Sequence, residues 1–327
     1  MQAIVYSEFG SPDVLHLEEI DTPVPKDREV LVRVRAAAVN PLDWHFIRGE
    51  PSVMRLMGQP KGRTPGVDLA GQVEQIGASV TEFRVGDEVF GSGRGTFAEY
   101  ACASVDTVAQ KPSSLSYEQA AAIPVAGATA LLAVRDHGGL RPGQTVLING
   151  AAGGIGTFAV QIAKALGGTV TGVCSTSNLD LVRAIGADAV IDYTAEDFAA
   201  TGRQYDLVLH VAGNRSLQDH RRALTPDGTL VLVGGGVGRD TGGNQTLNTL
   251  STLALVVGRG ILSRFLRQRI HMFVTKYRQS DLIFLAELCE AGKVRPVIDR
   301  SYPLADAAEA VRHLEAGHAR GKVIVIT

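Results

Sequence analysis

The sequence predicts a β-rich domain interrupted by a parallel α/β domain, on three observations. The first hundred residues run in short alternating apolar segments such as 30–35, punctuated by Gly77, Gly86, Gly91, Gly93 and Gly95, as in a fold of short strands and frequent turns. From Tyr117 the rhythm changes to short apolar strands alternating with amphipathic helices, the pattern of a parallel sheet with helices on its faces. From Val294 strand-like character returns, ending in Lys322-Val-Ile-Val-Ile326, so the α/β part reads as an insertion into the first domain.

The β-rich part is expected to be barrel-like or sandwich-like. In the α/β part, strands are expected at 145–149, 169–174, 189–191, 206–210, 229–233 and 270–275, enough for a complete dinucleotide-binding sheet. Helices are expected at 155–166, 179–185, 217–223 and 282–291, each bounded by Gly or Asn/Asp. The domain boundaries then fall at 1–123 with 293–327 for one domain and 124–292 for the other.

Composition narrows the function classes. A chain of 327 residues, 45% hydrophobic and 20% charged, has ordinary globular usage and exceeds the usual single core. Its net charge of −2 and lack of a long basic run leave it without the footprint of a nucleic-acid binder. The opening MQAIVYSEFG has no basic segment followed by an apolar one, so no secretion signal is read and the cytoplasm is the expected location.

The apolar stretch 250–262 is shorter than the about 20 residues a span needs and is broken by Gly258, Arg259 and Gly260. A core-packed helix is expected there, without stable membrane insertion. Arg264, Arg267 and Arg269 leave a loose surface contact open, and the role of 244–266 is not set by the sequence. Cys102, Cys174 and Cys289 lie far apart without CxxC spacing and are expected to be reduced and buried.

The most informative stretch is 145–164, an apolar strand, a glycine turn and a helix, with Gly150, Ala152, Gly153, Gly154, Ile155 and Gly156 in the turn. Small residues let backbone approach a pyrophosphate, whose charge is met by free amides at the helix N-terminus. Ala152 replaces the central glycine of the usual GxGxxG fingerprint, and a lone glycine turn is weak evidence. The flanking strand and helix and the repeating α/β units carry the nucleotide reading.

At the second strand's tip, an NAD enzyme usually has an Asp or Glu for the ribose 2′-hydroxyl. Here Val173-Cys-Ser-Thr-Ser-Asn178 offers Ser175, Thr176 and Asn178 instead, with Arg183 nearby. NADPH is therefore the expected coenzyme, although the same cluster also reads as a helix N-cap.

At this point the sequence resembles the zinc-independent quinone oxidoreductase branch of the medium-chain dehydrogenase/reductase superfamily, which includes zeta-crystallin and the alkenal reductases. The resemblance lies in Val39-Asn-Pro-Leu-Asp43, Thr64-Pro-Gly-Val-Asp-Leu-Ala-Gly71, Val85-Gly-Asp-Glu-Val-Phe90 and Gly95-Thr-Phe-Ala-Glu-Tyr100. It continues through Val125-Ala-Gly-Ala-Thr-Ala130, Leu181-Val-Arg-Ala-Ile-Gly-Ala-Asp188 and His318-Ala-Arg-Gly-Lys-Val323. It implies a GroES-like β-barrel domain enclosing an inserted Rossmann dinucleotide-binding domain with a six-stranded parallel sheet, and an active site in the cleft between them.

Zinc-dependent members of that superfamily use an early Cys and a Gly-His-Glu motif, many with a four-Cys lobe. Asn40 and Gly66-Val67-Asp68 stand at the first two places, and three scattered cysteines cannot build the lobe. Zinc needs three or four correctly spaced N, O or S ligands, so no metal is expected. His45, His137, His210 and His313 lie on different expected elements without i, i+4 pairing; only His45 is near the cleft motif.

The resemblance implies hydride transfer from NADPH to a quinone or an α,β-unsaturated carbonyl compound. It puts Asn40 and Asp43 on the substrate side, with Asn40 donating its amide to the acceptor oxygen; both are also turn formers. It puts Thr129 beside the nicotinamide, Gly234, Gly235 and Gly236 where backbone passes the ring, and Tyr193 near the 2′-phosphate. Helix packing for Thr129, a flexible loop for 234–236 and simple burial for Trp44 are the competing readings. Alternatives are an NADPH-dependent carbonyl or alcohol reductase, or a catalytically weak, crystallin-like nucleotide binder. Homodimers are common in that family, but no interface is legible.

Overall fold

The computed structural model describes residues 1–50, 58–212, 215–233, 267–276 and 278–327. They form two compact units, Met1–Ala128 with Lys276–Thr327, and Thr129–Thr275. The expected helix at 250–262 lies outside the described residues.

In the first unit, β1 (Gln2–Val5) and β2 (His16–Glu19) form an antiparallel pair. The long strand β3 (Glu29–Val39) is followed by helix α1 (Pro41–Arg48), then β4 (Asp68–Ile76), β5 (Glu88–Ser92), β6 (Tyr100–Ser104) and β7 (Val108–Gln110). Val30, Leu31, Val32 and Val34 of β3 are all buried, as suits branched side chains on a pleated surface. Pro41 at the first helical position starts α1, and Gly49, at φ 66°, ends it in the left-handed conformation open to glycine. Helices α2 (Tyr117–Ala121) and α3 (Pro124–Leu131) come next.

The second unit carries strands β8 (Thr145–Asn149), β9 (Thr169–Cys174), β10 (Ala189–Asp192), β11 (Tyr205–His210), β12 (Leu224–Leu232) and β13 (Arg269–Met272). Its helices include α4 (Gly154–Ala165), α5 (Leu179–Ala184) and α6 (Leu217–Arg222). The six strands are all parallel, in the order β10-β9-β8-β11-β12-β13. This doubly wound order directs ligands to the carboxyl ends of the strands, around β8 and its neighbours.

The expected strands 145–149 and 169–174 coincide with β8 and β9. β12 starts earlier than expected: it runs through Pro226 and Gly228, turn formers in the sequence, and its pairing with β11 shifts register there.

The chain then returns to the first unit with α7 (Gln279–Glu290), β14 (Ile298–Pro303), α8 (Ala307–Glu315) and β15 (Lys322–Ile326). Gln279 Nε2 donates to the carbonyls of Val105 (3.2 Å) and Val108 (3.0 Å), and Glu290 accepts from the Ser113 amide at 2.6 Å. β15 completes a seven-stranded sheet by pairing antiparallel with Ala36–Val39 of β3, beside the stretch Glu29–Arg33 that pairs with β6. Arg48 of α1 pairs with Glu315 of α8 at 2.5 Å.

One buried group in the second unit makes stability depend on pH. His220 of α6 is 1% exposed and packs between Phe198 and His210, with ring centroids 5.7 and 4.3 Å away. Among the described residues, neither of its ring nitrogens has a hydrogen-bond partner. Burial first, then the neighbouring His210, push its pKa down to about 3, against an opposing pull from Asp219. The unfolded chain takes up a proton below the ordinary value of 6.5 while the native chain resists until about 3, so stability is lost as pH falls through that window. Replacing His220→Phe keeps an aromatic ring beside Phe198 and should flatten the fall in melting temperature between pH 7 and pH 5, measured by thermal unfolding.

Candidate functional site

In the first unit, polar side chains converge where an apolar core would be expected. Asn40, Asp43, Asp68 and Lys322 are 2%, 2%, 0% and 3% exposed. Asn40 sits at the N-cap of α1, yet its side chain turns inward. Its Nδ2 donates to Asp68 Oδ2 at 2.9 Å and to the Ala38 carbonyl at 3.2 Å, and its Oδ1 accepts from Lys322 Nζ at 2.6 Å. Lys322 also donates to the Val39 carbonyl (3.3 Å) and pairs with Asp68 at 3.4 Å.

Asp68 has further work at the start of α3, where its Oδ1 accepts the Val125 amide at 2.9 Å. That satisfies one of the donors a helix N-terminus leaves over. Burial pushes the Asp68 carboxyl up, while Lys322, Asn40 and the Val125 amide pull it back. Asp43 accepts from the Asn40 amide at 2.7 Å. Burial, with the nearby Asp68 charge, raises it to about 7 despite the Asn40 and Gly66 amides and Lys322.

In the second unit, the turn after β8 is shaped by close approach. Gly150 has φ 94°, and a Cβ at Gly156 would stand 2.0 Å from the Gly150 carbonyl oxygen, so only glycine lets α4 dock this near the turn. The amides of Gly150 and Ala151 donate to the Val173 carbonyl at 3.1 and 3.0 Å, fixing the turn to β9. The first helical bond of α4 runs from the Thr157 amide to the Gly153 carbonyl at 2.9 Å. The amides of Gly154, Ile155 and Gly156 therefore precede the helix ladder and point out of its N-terminus.

Gly153 plays a different part. Its backbone is extended (φ −79°, ψ 175°), and among the described residues an added Cβ would meet only the Gly150 oxygen, at 3.7 Å. A side chain there is sterically allowed. Its absence leaves the face above the helix amides open, as a pyrophosphate requires, so this turn fits a dinucleotide.

The tips of β9 and β10 lie side by side, with Cys174 opposite Asp192 and the Tyr193 amide donating to the Cys174 carbonyl at 3.1 Å. Just past β9, Asn178 Nδ2 donates to Ser175 Oγ at 3.1 Å. Thr176 Oγ1 donates to Asp192 Oδ2 at 2.5 Å. Tyr193 is 43% exposed beside them.

The structure thus brings together the turn residues Gly150, Ala152, Gly153, Gly154, Ile155 and Gly156 with Ser175, Thr176, Asn178 and Tyr193 around neighbouring strand ends. Thr129, on α3, is in the same unit and shares a 2.8 Å hydrogen bond with Thr275. Gly234, Gly235 and Gly236 lie outside the described residues. Asn40 and Asp43 are joined directly in the first unit, and His45, next to them in sequence, faces Glu50 at 3.0 Å and stacks on Trp44.

Three groups escaped the sequence reading. Asp68 was visible only as a replacement within a motif, and Lys322 only as the start of an apolar strand. Asp192 stood between the expected strand 189–191 and Tyr193; the strand order that sets β10 against β9 is the signal that could have singled it out.

Comparison with known proteins fits this geometry. The family model described as alcohol dehydrogenase GroES-like domain matches residues 26–113, and the one described as zinc-binding dehydrogenase matches residues 185–325. The chain is 31% identical over 340 residues to the chloroplast envelope quinone oxidoreductase homolog of Arabidopsis thaliana, covering 99% of this chain and 98% of that protein. The quinone oxidoreductase structure from Coxiella burnetii superposes with a TM-score of 0.85 at 32% identity, covering 100% and 99% of the two chains. A mycobacterial structure complexed with NADPH superposes with a TM-score of 0.83 at 25% identity, covering 100% of both chains. With such identity to relatives along almost its entire length, the chain belongs to the quinone oxidoreductase branch of the medium-chain dehydrogenase/reductase superfamily.

Proposed function

We propose that this oxidoreductase uses NADPH to reduce quinones or α,β-unsaturated carbonyl compounds, without a metal ion. The observation that carries the reading is Lys322. Where the zinc-dependent pattern has its metal ligands, Asn40 and Asp68 already receive a buried ammonium, 2.6 Å from Asn40 Oδ1 and 3.4 Å from Asp68 Oδ2. This donor set does not fit zinc, because a cation already occupies the oxygens a metal would need. A chain that polarises no alcohol or ketone through a metal suits an acceptor that is already electrophilic.

A bound nicotinamide would supply the hydride. The chain's own part is to bind and orient: the α4 amides and open face at Gly153 would receive the pyrophosphate, and Ser175 and Asn178 would face the adenosine ribose. We assign Thr129, Tyr193 and Gly234, Gly235 and Gly236 to the coenzyme, as the family resemblance implies. In an enone the oxygen that gains charge needs hydrogen-bond donors and a proton from water. Both amide hydrogens of Asn40 are engaged within its own unit, so we assign Asn40 and Asp43 to holding the α1 N-terminus beside the substrate. The NADPH-complexed structural neighbour and the lack of an acid at the β9 tip support the phosphorylated coenzyme.

Steady-state assays with a quinone, an alkenal and a simple ketone test the reading. The quinone or alkenal should be reduced, the ketone should not, and prior treatment with a strong zinc chelator should leave the rate unchanged. Efficient ketone reduction, or loss of activity with the chelator, would overturn it.

The two turn glycines should respond differently. Gly153→Ala should fold normally and weaken NADPH binding, followed by fluorescence titration, whereas Gly156→Ala should lose about 3 kcal/mol of stability in denaturant unfolding. The buried pair should be equally legible. Lys322→Met leaves Asp68 uncompensated and should cost about 3–5 kcal/mol in the same unfolding measurement, with part of the loss recovered when Asp68→Asn is added.

A further inference from the structure

We propose that Asp192 is the coenzyme-discriminating residue of this chain, acting against the 2′-phosphate. The inference deepens the nucleotide reading above and rests on it. The tip of β9 is where coenzymes are told apart in a doubly wound sheet, and here that tip carries hydroxyl groups. The carboxylate comes instead from the neighbouring strand, because the register sets Asp192 opposite Cys174.

Asp192 takes the protons of the threonines around it. Thr176 Oγ1 donates to Oδ2 at 2.5 Å, Thr194 Oγ1 donates to Oδ1 at 2.7 Å, and the Thr194 amide donates to Oδ1 at 2.9 Å. The two threonine oxygens are 3.0 Å apart. Each hydroxyl has one proton, so both threonines turn only lone pairs toward a ligand. The hydrogen bonds, Thr176 first, hold the Asp192 carboxyl below its ordinary range and keep it ionised at neutral pH. Arg183, the nearest cation in sequence, pairs with Asp180 at 3.2 Å.

Such a group accepts a hydrogen bond from a ribose 2′-hydroxyl and repels a phosphate. On the other side, Ser175 Oγ receives a hydrogen bond from Asn178 at 3.1 Å and shares one with Ser177 Oγ at 3.3 Å; with Ser177 as the donor, the Ser175 proton is left for an outward acceptor. The coenzyme preference is thus a balance, with Ser175 and Asn178 admitting a 2′-phosphate and Asp192 limiting how strongly it is favoured.

The test measures dissociation constants of NADPH and NADH, and of the fragments 2′,5′-ADP and ADP in competition, for the wild-type chain, Asp192→Asn and Asp192→Ser. Thermal melting confirms that each variant is folded. Both substitutions should raise the NADPH-to-NADH affinity ratio at least about tenfold, by removing a like charge from beside the phosphate and the ionised acceptor of the NADH 2′-hydroxyl, with the fragment ratio moving in step. An unchanged or lowered ratio in the folded variants, while the wild-type chain binds coenzyme, overturns the role of Asp192 alone. A wild-type chain that binds neither coenzyme sinks the nucleotide reading and this inference with it.

Discussion

A carboxylate sealed from water is tolerated only while its counter-charge and hydrogen-bond donors stay in place, and Asp68 imposes that condition on the first unit. Its partners come from β15 through Lys322, from the N-terminus of α1 through Asn40, and from the N-terminus of α3 through the Val125 amide. Moving any one of these segments would strand a charge or a donor in the interior. The cluster therefore fixes the position of α1, and with it the segment from Asn40 to Gly49, more tightly than apolar packing alone could.

The second unit reaches precision by the opposite route, through side chains that are missing. Gly156 lets α4 close onto the Gly150 carbonyl, while Gly153 leaves an opening that sterics alone do not demand. Around that opening the parallel strand order gathers the ends of β8, β9 and β10. Among the described residues named there, backbone amides and hydroxyl groups supply most of the polarity, and Asp192 is the charged exception.

Patterns that repeat along the chain were legible from the sequence. β8, the glycine turn and α4 follow directly from an apolar run, small residues and helical periodicity, and β9 falls where alternation placed it. Asn40 and Asp43 stood out through the family resemblance, with a turn as their competing reading. What stayed hidden was decided by partners far away in sequence. Lys322 opens an apolar strand and looks like its solvated flank; only the pairing of β15 with β3 buries it, bringing it to a carbonyl 283 positions earlier. His220 reads as one polar residue in QDHRR, and its burial depends on Phe198 and His210 arriving from two other segments. The attachment of α7 to Val105, Val108 and Ser113 was illegible for the same reason.

The span between Asp68 and Lys322 is 254 positions, and a ribosome makes the acid long before the base. The second unit is one continuous stretch, 129–275, so everything it needs has been synthesised while the host unit still lacks β15. Until Lys322 emerges, closing the host's interior means burying the Asp68 carboxyl without its counter-charge, at a cost in stability. Interruption of translation between residues 276 and 321 would yield a polypeptide with a finished insert and an unfinished host.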